Sequence, residues 1–279
     1  MPGYLINAAI KGVIEGVTEF LPISSTGHLV LVRHLFPLAA PDDGSRLENL
    51  FDIVVQFPAI LAVLVLYRQR LYTSARGLFS ETRSRNFWLG IGLAFIPLAS
   101  LGMVFKKKIE EALMHPRPVA IALIVGGIIL ILIERRSAAV PAASASPTTA
   151  PIERAEDTPL ATAIIIGFFQ ALALMPGTSR SAATIIGGRA MGLSRGAAAE
   201  FSFFLAIPTM AAAFGYKFIK EFSTIQPGDW PILVVGGITS FFSAWLVVRW
   251  FIRFLQNNSM ASFGVYRIIL GVLVLIFAV

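Results

Sequence analysis

No cysteine occurs anywhere in the chain. Disulfides and thiolate-held metals are therefore excluded, any metal must be bound through oxygen or imidazole, and the redox state of the compartment leaves no mark. Charge is scarce as well: charged residues make up 14% of the 279 residues against 56% hydrophobic ones, far from the balance of a soluble domain. A basic region ahead of a cleavable apolar core is also missing. The first apolar segment carries Lys11, Glu15 and Glu19, which argues against a removed signal peptide. The net charge of +7 forms no nucleic-acid surface, because Arg and Lys gather beside apolar runs as membrane topology requires.

What is present are apolar runs of span length. Those near residues 50–67, 87–105, 118–134, 197–216, 231–250 and 263–279 each suit a spanning helix, which predicts an all-α integral membrane protein with six transmembrane helices. The chain also repeats itself. GVIEGVTEFLPISSTGH from Gly12 overlies GFFQALALMPGTSRSAA from Gly167, so that Glu15 meets Gln170 and, after a one-residue gap, Pro22 meets Pro176 and Ser25 meets Ser179. FDIVVQFPAILAV from Phe51 overlies FSFFLAIPTMAAA from Phe201, pairing Pro58 with Pro208. The reading is a first repeat over 1–136, a polar linker over 137–158 rich in Ala, Ser, Pro and Thr, and a second repeat over 159–279.

Each repeat opens with a helix, a break and a second apolar helix too short to cross, since Leu29 to Leu38 reaches only about 15 Å at 1.5 Å per residue. Two re-entrant helical hairpins follow, facing inward, because broken backbone at membrane depth must be surrounded by protein or a wet cavity. A hairpin plus three spans per half inverts the second repeat relative to the first, and inverted repeats with broken helices place their site between the halves. The segment holding Arg68, Arg70, Arg76, Arg83 and Arg85, with Arg135, Arg136, Arg154, Arg249 and Arg253 on its side, predicts the cytoplasmic face, with the first hairpin opening outward.

Glu15 and Glu19 lie one helical turn apart on one face. At membrane depth such a pair needs a cation, a proton or water, and oxygen-only ligation points to Mg²⁺ or Ca²⁺; the plain alternative is a helix end solvated at the membrane surface. Pro22 interrupts the helix, and Ser24, Ser25 and Thr26 can cap the next one with His28 in its first turn. The second break, PGTSRSAAT from Pro176 to Thr184, sets Arg180 between Ser179 and Ser181 at another helix start, an anion site of free N–H groups, hydroxyls and a guanidinium; the plain alternative is that Arg180 only snorkels or pairs with Glu19. Together these are the parts of a phosphoryl-transfer site. Either Ser25 attacks while His28 moves the proton, or His28 attacks while Ser25 binds. His34 and His115 are read as interfacial.

EGVTEFLPISSTGH and PGTSRSAATI, with the spacing of the spans, resemble over essentially the whole chain the undecaprenyl pyrophosphate phosphatases of bacteria, the family associated with bacitracin resistance. The resemblance implies a multi-pass enzyme of the bacterial cytoplasmic (inner) membrane, its site opening to the periplasmic or outer side. It implies hydrolysis of a polyprenyl diphosphate, undecaprenyl diphosphate, to the monophosphate, which recycles the lipid carrier for cell-wall synthesis. It assigns Glu15 and Glu19 a catalytic or metal role, Ser25 and His28 nucleophile and proton transfer, and places Ser24 and Thr26 in the same motif. Ser179, Arg180, Ser181 and Thr184 would hold the diphosphate. A homodimer is left open. The chain departs from the family pattern at Ala182 and Pro58, where glycine is common. The competing reading, on architecture alone, is an ion-coupled secondary transporter or a lipid-phosphate flippase.

Overall fold

The computed structural model describes residues 2–33, 35–39, 44–113, 115–138 and 151–277. Among them the chain is helical, relieved only by short turns and a single backbone bridge between Ile152 and Leu193. The helices are α1 (Pro2–Glu19), α2 (Ser25–Val32), α3 (Gly44–Val54), α4 (Gln56–Arg76), α5 (Thr82–Leu113) and α6 (Pro116–Ala138), then α7 (Leu160–Ala171), α8 (Arg180–Ala190), α9 (Arg195–Glu221), α10 (Trp230–Asn257) and α11 (Ala261–Phe277). Five stretches among the described residues are long and apolar enough to cross a membrane: Arg46–Phe79, Thr82–Phe105, Pro116–Arg136, Arg195–Thr224 and Trp230–Asn257. The chain is a multi-pass helical membrane protein.

Three expectations change. The sixth predicted span falls on α11, which has 17 residues and is the shorter kind of apolar helix. The run at 50–67 is not one helix, because α3 ends at Val54 and α4 begins at Gln56. Pro58 has no N–H to close the ladder there, and the hydroxyl of Ser240 on α10 donates to the Val55 carbonyl at 2.7 Å. The basic loop expected around residues 68–85 is mostly helix, with Arg68, Arg70 and Arg76 on α4 and Arg83 and Arg85 on α5. His34 and residues 139–150 of the linker lie outside the described residues; His115 is exposed at the start of α6.

Two breaks interrupt the apolar helices in the same way. α1 stops before Pro22, and Ser24 caps α2 by accepting the Gly27 N–H at 3.3 Å. Past Pro176, Ser179 caps α8 by accepting the Ala182 N–H at 3.2 Å. Both serines hold φ in the left-handed region, 73° and 69°, a conformation that costs a non-glycine residue about 1 kcal/mol. This shared cap matches Ser24 to Ser179 and Ser25 to Arg180, so the one-residue gap in the sequence alignment is not needed.

Packing is close where small residues meet. α1 lies along α10, and α7 lies along α5. A Cβ at Gly12 on α1 would strike the Gly236 carbonyl and Thr239 hydroxyl of α10, and one at Gly167 on α7 would strike the backbone of Ala94 on α5. Without a hydrophobic force between helices in lipid, such backbone approach supplies the van der Waals contact that joins them. α6 packs on α11, and α4 on α10 and α9. Polar ties lie around this frame: fully buried Lys11 pairs with Glu48, Arg46 makes a forked pair with Asp229 at 2.8 and 3.2 Å, and Arg70 on α4 binds Glu156 and Glu200 at 2.7 and 2.6 Å.

Gly12→Val is therefore expected to destabilise the protein by about 1–3 kcal/mol through overpacking, whereas Gly3→Val, with nothing near its Cβ, should leave thermal unfolding in detergent unchanged. Equal unfolding midpoints for the two variants would disprove the close α1–α10 approach.

Candidate active site

The breaks deliver three side chains to one point. Glu19 is the last residue of α1, Ser25 the first of α2, and Arg180 the first of α8. Glu19 Oε2 accepts the Ser25 hydroxyl at 2.6 Å, and Glu19 Oε1 accepts Arg180 Nη2 at 2.8 Å. One carboxylate thus joins the two breaks, reaching Arg180 161 positions away in sequence. The Glu19 and Arg180 side chains are each only 10% exposed, so the pair is charge-assisted in a medium that screens weakly, and removing either partner would strand the other's charge.

The remaining contacts of Arg180 fix its plane. Nη1 donates to the Ser202 carbonyl at 3.1 Å, Nη2 to Met210 Sδ at 3.1 Å, and the guanidinium lies 5.7 Å from the centre of the Phe20 ring. Its Nε is buried and has no acceptor among the described residues. Glu15, one turn before Glu19, is fully buried, and neither of its carboxylate oxygens has a hydrogen-bond partner among the described residues. Such a group is costly unless a proton, a cation or water meets it.

The other expected site residues divide by use. Ser24 and Ser179 are spent on the caps. The Ser181 hydroxyl donates to the Leu21 carbonyl at 2.7 Å and so ties the second break to the first. Thr184 is buried and donates to the Ser202 hydroxyl at 2.7 Å. Thr26 is exposed. These residues border the Glu19 cluster, but the Ser181 and Thr184 hydroxyls face protein partners.

His28 stands apart from Ser25. Its Nδ1 lies 2.8 Å from the Ser24 carbonyl, and its Nε2 lies 2.6 Å from the hydroxyl of Tyr266. A carbonyl can only accept, so Nδ1 carries the proton and Nε2 accepts from Tyr266 in the neutral ring. The Ser25 proton is directed at Glu19 instead.

Sequence reasoning did not single out Ser202, Met210, Tyr266 or Arg267. The first two are an ordinary hydroxyl and an ordinary thioether on an apolar helix, without any signal. Arg267 had one: it is a lone cation inside an apolar run, the same property that drew attention to Glu15 and Glu19.

The family model of Bacitracin resistance protein BacA matches residues 8–273. The chain is 44% identical over 277 residues to the undecaprenyl-diphosphatase of Janthinobacterium sp. (strain Marseille), covering 99% of this chain and 96% of that protein. It is 45% identical over 275 residues to the undecaprenyl-diphosphatase of Aromatoleum aromaticum, covering 99% and 94%. An alignment of 270 residues with undecaprenyl-diphosphatase 1 of Stutzerimonas stutzeri gives 44% identity and covers 97% of this chain and 92% of the relative. With a match from the first helix to the last, and Glu19, Ser25 and Arg180 of the two motifs meeting at one point, the chain belongs to the family of Bacitracin resistance protein BacA.

Proposed function

We propose that this chain hydrolyses undecaprenyl diphosphate to undecaprenyl phosphate and inorganic phosphate, recycling the carrier lipid for cell-wall synthesis and conferring bacitracin resistance. The carrying observation is Glu19, whose two oxygens engage a hydroxyl and a guanidinium from opposite breaks, in a chain aligned end to end with proteins named for that activity.

On this reading Ser25 is the nucleophile and Glu19 its base. Ser25 Oγ attacks the terminal phosphorus, its proton passes to Glu19 Oε2, and the bond from that phosphorus to the bridging oxygen breaks, releasing undecaprenyl phosphate. Water then attacks the phosphoserine, the P–Oγ bond breaks, and inorganic phosphate leaves as Ser25 recovers its proton. Arg180, with its unpartnered Nε, neutralises charge on the phosphoryl oxygens. His28, held by Ser24 and Tyr266, serves water or the leaving oxygen, not Ser25.

Glu15 and Glu19 also fit a divalent cation, Mg²⁺ or Ca²⁺. The unpartnered oxygens of Glu15 are an oxygen donor without an occupant, and no set of three or more His, Cys, Asp or Glu side chains among the described residues is arranged to hold an ion. Two carboxylates completed by water and phosphate oxygens suit a hard ion that keeps part of its hydration shell. Such an ion would neutralise the diphosphate charge.

The architecture is read as two inverted repeats, 1–136 and 159–279, joined by the 137–158 linker, with α1–α2 and α7–α8 as re-entrant hairpins. The exchanged pairings support this: α1 lies on α10 as α7 lies on α5, and the sixth and eleventh helices pair with each other. The matching strained caps support it too. On this reading the protein sits in the bacterial inner membrane with the site opening to the periplasmic or outer side. A transporter or flippase on the same fold would leave the Ser25–Glu19–Arg180 cluster without a reaction to perform.

Ser25→Ala and Arg180→Ala should each cut phosphate release from undecaprenyl diphosphate about 100- to 1,000-fold while the purified protein stays folded in detergent, no ion gradient being present. Near-parental turnover in either variant removes that residue from the chemistry. Glu15→Gln should raise the Mg²⁺ or Ca²⁺ concentration for half-maximal rate about tenfold or more; an unchanged cation titration excludes Glu15 as a ligand.

A further inference from the structure

Among the described residues, Arg267 on α11 heads the large side chains with no solvent exposure. A guanidinium so buried is expected to face a carboxylate, yet among the described residues its hydrogen bonds all go to backbone carbonyls. Nε donates to Leu123 O at 3.4 Å and Nη2 to Ala122 O at 3.2 Å, both on α6. The others are the breaks themselves: Nη1 donates to Pro22 O at 3.3 Å, and Nη2 to Gly177 O at 3.2 Å and Thr178 O at 3.0 Å.

One planar group therefore holds a carbonyl just before the Ser24 cap and two just before the Ser179 cap. A guanidinium presents five N–H donors in a rigid fork, so these three carbonyls are fixed in distance and in angle. An ammonium on a flexible stem fixes distance alone. The neighbouring helix is shaped for it: a Cβ at Gly126 of α6 would collide with Nη2 of Arg267. Ser24 and Ser179 sit next to these carbonyls with φ of 73° and 69°. Strained backbone of this kind persists only where its surroundings over-determine it.

We propose that Arg267 is a positioning residue of the reaction: its guanidinium clamps the carbonyls of both breaks, and this sets the separation at which Glu19 reaches Ser25 and Arg180 together. It does not touch any of those three side chains. Its effect is on the mutual placement of α2 and α8, whose first residues are Ser25 and Arg180. Its charge, met among the described residues by carbonyl dipoles, also adds a positive field behind the breaks. The proposal rests on the roles given above to Glu19, Ser25 and Arg180.

The test measures phosphate release from undecaprenyl diphosphate, with kcat and KM separated and thermal unfolding recorded for every protein. The set is the parent, Arg267→Gln, Arg267→Lys, Arg180→Ala and each Arg267 variant on the Arg180→Ala background. A misplacement near 1 Å should lower kcat about 100-fold in Arg267→Gln, with KM moved less than about threefold, and Arg267→Lys should recover part of that loss. On the Arg180→Ala background, where the geometry being served is already gone, the further loss should stay under about threefold. Near-parental kcat in both single variants overturns the proposal. So does a loss that multiplies in full on the Arg180→Ala background, and so does failure of both single variants to fold, which assigns Arg267 to the scaffold. Full activity of Arg180→Ala itself is a separate result, and overturns the site reading on which this one rests.

Discussion

The constraint that organises this protein is that a buried ion must be met by another polar group, since an apolar interior offers it none. Glu19 satisfies it from two directions, with Ser25 at 2.6 Å and Arg180 at 2.8 Å. Neither partner is available on α1 itself. Both come from helix starts that exist only because the helices before them are broken, so the geometry of the breaks and the burial of the carboxylate are one problem. The wider fold brings the breaks together through backbone contact: α1 on α10, α7 on α5, and the Ser181–Leu21 bond directly between them.

The two breaks share a construction in which residue identity at one position decides a conformation. A serine in the left-handed region with its oxygen on the N–H three residues ahead starts each second helix. A glycine would relieve the strain but could not cap with a side chain, and the cap also leaves the first-turn N–H groups of α2 and α8 as the natural place for an anion. The Ser24 carbonyl then anchors His28 Nδ1, which leaves Nε2 for Tyr266. Capping and histidine orientation are therefore consequences of the same turn.

Much of this was legible from residue types. Glu15, Glu19 and Arg180 were visible because charges in apolar runs are rare, and the proline-hydroxyl breaks because Pro cannot continue a helix. The sequence reading aligned Pro22 with Pro176 through a one-residue gap, whereas the caps pair Ser24 with Ser179. The partner of Ser25 was not legible: whether it faces His28 or Glu19 depends on how the chain turns between residues 20 and 24, and no spacing rule encodes that. Ser202 and Tyr266 were hidden because their value lies only in which helix they meet. Arg267 obeys the rule that found Glu15, and its run near the C-terminus was read as a plain span.

Two positions that the sequence alignment pairs differ in how their side chains are satisfied. Glu15 in the first half aligns with Gln170 in the second, and both are fully buried. Gln170 is satisfied within the protein, its amide donating to Ala94 O at 3.4 Å and its oxygen accepting the Thr209 hydroxyl at 3.1 Å. Glu15 has no such partner among the described residues. A neutral amide with both ends bonded joins α7 to α5 and α9 and closes that half, whereas an unmatched carboxylate in the equivalent place carries a free energy penalty until something from outside binds it. The two aligned positions thus differ in use: Gln170 is tied into the fold by its neighbours, and the Glu15 carboxylate is left for a proton, a cation or water to meet.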